Sequence, residues 1–123
     1  MAGKITISTL NNDTGVLATQ NGMTGIAKAW INYDGTVPTI RASFNVSSVT
    51  YNSTGNYTIN YTTALSSQYY SAQVSCSASV GSGGQYGFVT SGMTTSACQV
   101  ETLNYNASAN TNRINTYVVI HGA

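Results

Sequence analysis

Few side chains in this 123-residue chain can do acid–base or nucleophilic chemistry: the carboxylates are Asp13, Asp34 and Glu101, the sole histidine is His121, and the thiols are Cys76 and Cys98. Asp13 and Asp34 stand in the turn-like stretches Asn11-Asn12-Asp13-Thr14-Gly15 and Asp34-Gly35, where aspartate is common because its side chain bonds the local backbone. A glycosidase needs two carboxyl groups flanking one bond. Asp34 with Glu101 is the pair on which a polysaccharide depolymerase, a remote alternative, would have to rest. His121 lacks a nucleophile-elbow pattern to serve and has no cysteine or carboxylate at metal-ligand spacing. Gly81-Ser82-Gly83-Gly84 lacks the lysine and following helix with which a glycine loop cradles phosphate, so it reads as a strand connection. Cys76 falls on the apolar face of its strand and Cys98 is in phase with Val100. Two buried free thiols are the expectation, with a bridge open if their strands face each other. The chain therefore reads as a non-enzyme without cofactor or metal.

The aromatic residues are the more informative set. Trp30, Tyr57, Tyr61 and Tyr70 lie within strand patterns, the tyrosines in phase with Ile59 or Val74, and are expected in the core. Tyr33, Tyr51, Tyr69, Tyr86 and Tyr105 fall at strand ends or in loops. Exposed tyrosine among Ser, Asn and Gly is the composition of recognition surfaces that join rigid rings to adaptable hydrogen bonds. On that ground the candidate ligand-binding residues are Tyr86 and Tyr105, flanked by Gln85, Asn104 and Asn106, with Tyr69 as a third ring.

These residues sit in an unusual background. Charged residues make up 6% of the chain, against about 25% in a common soluble domain, while Thr, Ser and Asn account for 46 of 123 residues. With a net charge of +1 there is no basic stripe to neutralise phosphates, so no nucleic-acid partner is expected. No apolar run reaches the roughly 20 residues needed to cross a bilayer, and Met1-Ala2-Gly3-Lys4 does not lead into a secretory h-region. Asn-x-Ser/Thr triplets such as those at Asn52 and Asn56 follow from composition, and no glycan is assigned to them.

The elements that must position the rings are strands. Val and Ile together number 18 and Tyr 9, against 4 Leu and 1 Glu, which favours strand over helix. Period-two runs appear at Lys4–Leu10, Ile26–Tyr33, Ile40–Val46, Val49–Tyr51, Asn56–Thr62, Tyr70–Val80, Tyr86–Thr90, Thr95–Leu103 and Ile114–Ile120. In Tyr70–Val80 every even position is apolar or aromatic and every odd one polar. Asp34-Gly35 predicts a type I′ hairpin with positive φ at both central residues, and Asn52-Ser53-Thr54-Gly55 a four-residue hairpin loop. The expected fold is all-β: one antiparallel β-sandwich over residues 1–123, jelly-roll-like, with about eight strands and essentially no helix.

Part of the sequence also carries a family resemblance. Ala29-Trp30-Ile31-Asn32-Tyr33-Asp34-Gly35-Thr36, Ser43-Phe44-Asn45-Val46-Ser47-Ser48 and Thr54-Gly55-Asn56-Tyr57-Thr58-Ile59-Asn60-Tyr61-Thr62-Thr63 resemble a C-terminal module of tailed-bacteriophage tail fibres, tail spikes and other virion structural proteins. The resemblance covers about residues 4–70 and fades over 81–113. It implies a homotrimer in a virion, at a tail or fibre tip, whose later strands and loops meet a host-surface glycan or outer-membrane receptor. The competing expectation is a structural or capsid-decorating module without a ligand. Residues 1–3 read as a start remnant ahead of a fragment of a longer fibre chain.

Overall fold

A computed structural model describes residues 26–77, 86–90, 92–104, 106 and 108–122. They form eight strands and no helix: β1 (Ala27–Asp34), β2 (Thr39–Phe44), β3 (Val46–Ser53), β4 (Asn56–Tyr61), β5 (Ser71–Ser77), β6 (Tyr86–Val89), β7 (Ala97–Leu103) and β8 (Asn115–His121). Two antiparallel four-stranded sheets result, one in the order β2-β1-β8-β5 and the other β3-β4-β7-β6. The expected β-sandwich is thus observed. In a jelly roll successive strands alternate between sheets, whereas β1–β2, β3–β4 and β6–β7 pair within one sheet, so the connectivity departs from that part of the expectation. The expected strand at Lys4–Leu10 lies outside the described residues.

The interior is formed by every second residue of the inner strands. Ala29, Ile31 and Tyr33 of β1 and Thr116, Val118 and Ile120 of β8 meet Tyr57, Ile59 and Tyr61 of β4 and Cys98, Val100 and Thr102 of β7. Tyr33 packs edge-on against Tyr57 with centroids 5.3 Å apart, and Tyr61 against Tyr70 at 6.1 Å, a geometry that sets the positive ring edge against the negative face. Burial raises the pKa of all four phenols, that of Tyr57 to about 12. Cys76 and Cys98 are buried free thiols, and burial pushes both upward, with the nearby Arg113 pulling Cys76 the other way. Arg113 is itself buried, its Nε and Nη2 donating to the Leu103 carbonyl at 3.0 and 2.6 Å.

Several expectations need correction. Tyr33 is in the core, because β1 runs one residue past it and its inward phase continues from Ile31. Trp30 occupies the opposite phase and is 39% exposed on the outer face. The run Ile40–Val46 is two strands rather than one. Asn45 takes φ 55° and turns the chain from one sheet to the other, while its side chain donates to the Lys28 and Thr63 carbonyls and accepts from the Thr63 amide. Lastly, Gly35 opens a four-residue turn (35–38) and is not at positive φ. It is required there for space, since a Cβ would stand 2.7 Å from the Tyr57 hydroxyl. The second hairpin turns more tightly than expected, at Thr54-Gly55, with Gly55 at φ 67°.

Candidate surface on the second sheet

The candidate residues divide between the two ends of the sandwich. Tyr86 is the first residue of β6, 53% exposed, and pairs with Leu103, the last of β7. Asn104 follows directly and, with Asn106, is tied into a small turn: Asn104 Nδ2 donates to Ser108 Oγ at 3.0 Å, and Ser108 Oγ to Asn106 Oδ1 at 2.7 Å. Tyr86, Asn104 and Asn106 therefore meet at one end. Gln85 and Tyr105 lie outside the described residues. Tyr69 is the most exposed ring named here, but it precedes β5, whose last residues adjoin Tyr86 through the Cys76 thiol and the Tyr86 carbonyl. A seven-residue strand spans about 20 Å, so Tyr69 sits at the far end and does not join the others.

Tyr86 is also a strand residue, and this placement exposes a neighbour the sequence reading passed over. Phe88 lies two residues on, on the same outer face, 43% exposed, and pairs directly with Glu101 of β7. The short Tyr86-Gly87-Phe88 alternation was its signal. Gly87 between them faces inward, where a Cβ would stand 2.6 Å from Val74 Cγ1. The absent side chain lets β6 close onto β5 and leaves both rings pointing out.

Beside these rings the outer face of the sheet is a hydrogen-bonded amide lattice. Asn56 Nδ2 donates to Glu101 Oε1 at 2.8 Å, and Asn56 Oδ1 accepts from Gln99 Nε2 and Asn52 Nδ2, each at 2.8 Å. Farther along, Asn60 Nδ2 donates to Ser48 Oγ and Thr50 Oγ1 at 3.0 Å. Alternation puts Asn56, Thr58 and Asn60 outward on β4 and Gln99 and Glu101 outward on β7, which is why so many amides meet on one face. Glu101 is the only formally charged side chain on this outer face among the described residues.

The arrangement offers contact and hydrogen bonding rather than acid–base chemistry. Asp34 points from the outer face of the other sheet, where its carboxylate accepts from Thr36 and pairs with Arg41 at 2.9 Å. The bond from the Thr36 hydroxyl, aided by the Thr36 amide and the Arg41 charge, holds the carboxyl below the usual range. Asp34 and Glu101 thus face away from each other across a sandwich whose sheets stand about 10 Å apart, and they do not flank one bond. No group of three or more metal-ligating side chains and no pocket is found among the described residues. Compared with protein-family models, curated proteins and solved structures, the chain matches none of them.

Proposed function

We propose that this chain is a non-enzymatic adhesive module of a tailed-phage fibre or spike that binds a carbohydrate on the host-cell surface, acting as a homotrimer in the virion. The observation carrying the binding part is the pair of exposed rings, Tyr86 and Phe88, set beside the amide lattice of β4 and β7. Ring faces take sugar C–H groups, while fixed amides and carboxylates take hydroxyls. A shallow strip of this kind suits a ligand that is itself part of a surface. The phage assignment rests on the sequence resemblance alone.

The purely structural reading is favoured by a different observation. On the outer face of the first sheet, Phe44, Trp30 and Val119 pair in register across β2, β1 and β8, and Tyr117 lies one row away. Phe44, Trp30 and Tyr117 are each between 39% and 53% exposed, and such a stripe suits packing against another virion component. Adsorption of the purified chain to a panel of bacterial cells, before and after periodate oxidation of their surface sugars, separates the two readings. Binding abolished by periodate supports the carbohydrate reading. Absence of adsorption across cells that the parent phage infects overturns it in favour of the structural one.

A further inference from the structure

We infer that the Phe88–Glu101 cross-strand pair is the centre of a subsite for a neutral, unbranched glycan lying along β6 and β7, and that Glu101 excludes acidic sugars from it. This deepens the carbohydrate reading above and rests on it.

The inference begins with the row across the sheet. Asn56, Glu101 and Phe88 are successive register partners on β4, β7 and β6. One Glu101 oxygen is held by Asn56, whose own oxygen is fixed by Gln99 and Asn52. The carboxylate is thereby oriented before any ligand arrives, so little ordering entropy is lost on binding. It stands directly beside the Phe88 ring. A pyranose stacked on that ring presents its equatorial hydroxyls at its rim, where a carboxylate accepts strongly because the bond is charge-assisted. Glu101 is an acceptor in this role and transfers no proton.

The shape of the ligand follows from the strand. Tyr86 and Phe88 are two residues apart on one face, roughly 7 Å along β6, so a linear chain can set successive sugars on the two rings. Beside Tyr86 stands its register partner Leu103, and the hydrogen-bonded Asn104 and Ser108 follow at that end. A branch point would have to stand over the amides of Asn56 and Gln99, which are already held in place, Asn56 donating to Glu101 and Gln99 to Asn56.

Charge sets the selectivity. With Glu101 the only formal charge on this face among the described residues, a uronic or sialic carboxylate entering the strip meets a like charge and no cation. Placing like charges together costs affinity and serves to reject a competitor.

The test is a glycan array carrying neutral and uronic- or sialic-acid-containing oligosaccharides, probed with the wild-type chain and with Phe88→Ala and Glu101→Gln, each checked for native circular dichroism. Neutral glycans should bind wild type, and each variant should lose about tenfold or more in affinity for them, the loss expected when a charge-assisted bond or a stacking ring is removed. Glu101→Gln should also narrow the gap between neutral and acidic ligands. Neutral binding that both folded variants keep within twofold overturns this subsite while leaving the carbohydrate reading standing, as does a wild-type preference for acidic glycans. No glycan binding by wild type, together with periodate-resistant adsorption to cells, overturns the carbohydrate reading and this subsite with it.

Discussion

The Tyr57 hydroxyl donates to the Gly35 carbonyl at 2.6 Å, joining β4 of one sheet to the turn that leaves β1 of the other. Asn112 Oδ1 lies 2.8 Å from the same hydroxyl and accepts the Gly55 amide at 2.7 Å. The Gly35 amide in turn donates to the Arg113 carbonyl. One phenol therefore ties together both hairpin turns and the segment entering β8, at the end of the sandwich that carries Tyr86.

Tyr57→Phe should cost about 1–3 kcal/mol, because it leaves the buried Gly35 carbonyl without its donor. Tyr61 is the internal control: its hydroxyl is buried near Cys98 and Tyr70 but within hydrogen-bond geometry of neither. Tyr61→Phe should change stability by less than about 0.5 kcal/mol or raise it. Truncating either ring to alanine should cost about 3–5 kcal/mol. Urea denaturation of the four variants checks the ordering, and equal losses for the two phenylalanine variants would show that the Tyr57 bonds contribute nothing.

Asn45 makes a second separable prediction. Its left-handed backbone costs an ordinary L residue about 1–2 kcal/mol, and its amide bonds Lys28 and Thr63 where the chain changes sheets. Asn45→Ala keeps the strain and loses the bonds, whereas Asn45→Gly loses only the bonds. Alanine should therefore be the more destabilising by about 1 kcal/mol. A glycine variant no more stable than the alanine one would put the whole effect in the side-chain bonds.

The buried phenols fix the direction of alkaline stability. For Tyr33, Tyr57, Tyr61 and Tyr70 the folded pKa lies above the ordinary tyrosine value of 10.0, so the folded state holds its protons more tightly than the unfolded one. Their contribution is complete below pH 10 and declines as pH rises past it toward the folded values, about 12 for Tyr57. The phenolate absorbance of these rings should appear together with loss of the β circular dichroism signal. Full tyrosine ionisation with the β signal intact would contradict their burial. Asp34 acts in the opposite sense: its pKa is depressed from 3.8, so its contribution is present above that pH and lost in acid below it, and Asp34→Asn should weaken the acid transition.

How much of this was legible before the structure depends on what each residue faces. The alternation through β5 (Ala72, Val74 and Cys76 against Ser71, Gln73 and Ser75) gave its inward face correctly, because a half-buried strand writes its face into the sequence. Trp30 was misassigned because its neighbours in register on the outer face, Phe44 and Val119, are themselves apolar, so an apolar residue is no guide there to which side is core. The break at Asn45 is invisible because the apolar alternation continues across it into Val46. Glu101 was judged only as a catalytic partner for Asp34, since sequence separation does not reveal that Asn56 and Phe88 flank it in register.

The apolar stripe of the first sheet leads to the prediction about assembly. Phe44, Trp30 and Val119 lie in register; Arg41 and Asp34 neutralise each other within the chain, and Lys28, two residues from Trp30, is the nearest charge outside the row. Nothing in that row repels a second copy, and aromatic side chains are enriched where subunits meet. If the proposed homotrimer buries this face, sedimentation equilibrium at micromolar concentration should return a trimeric mass for the wild-type chain. Trp30→Ser and Phe44→Ser should shift it toward monomer, and because both side chains are substantially exposed in the single chain, the resulting monomer should keep the native β circular dichroism signal. The surface of the other sheet should be indifferent, so Phe88→Ala should sediment as wild type. A trimer that survives both serine substitutions would move the interface elsewhere, and a wild-type monomer would remove the trimer itself.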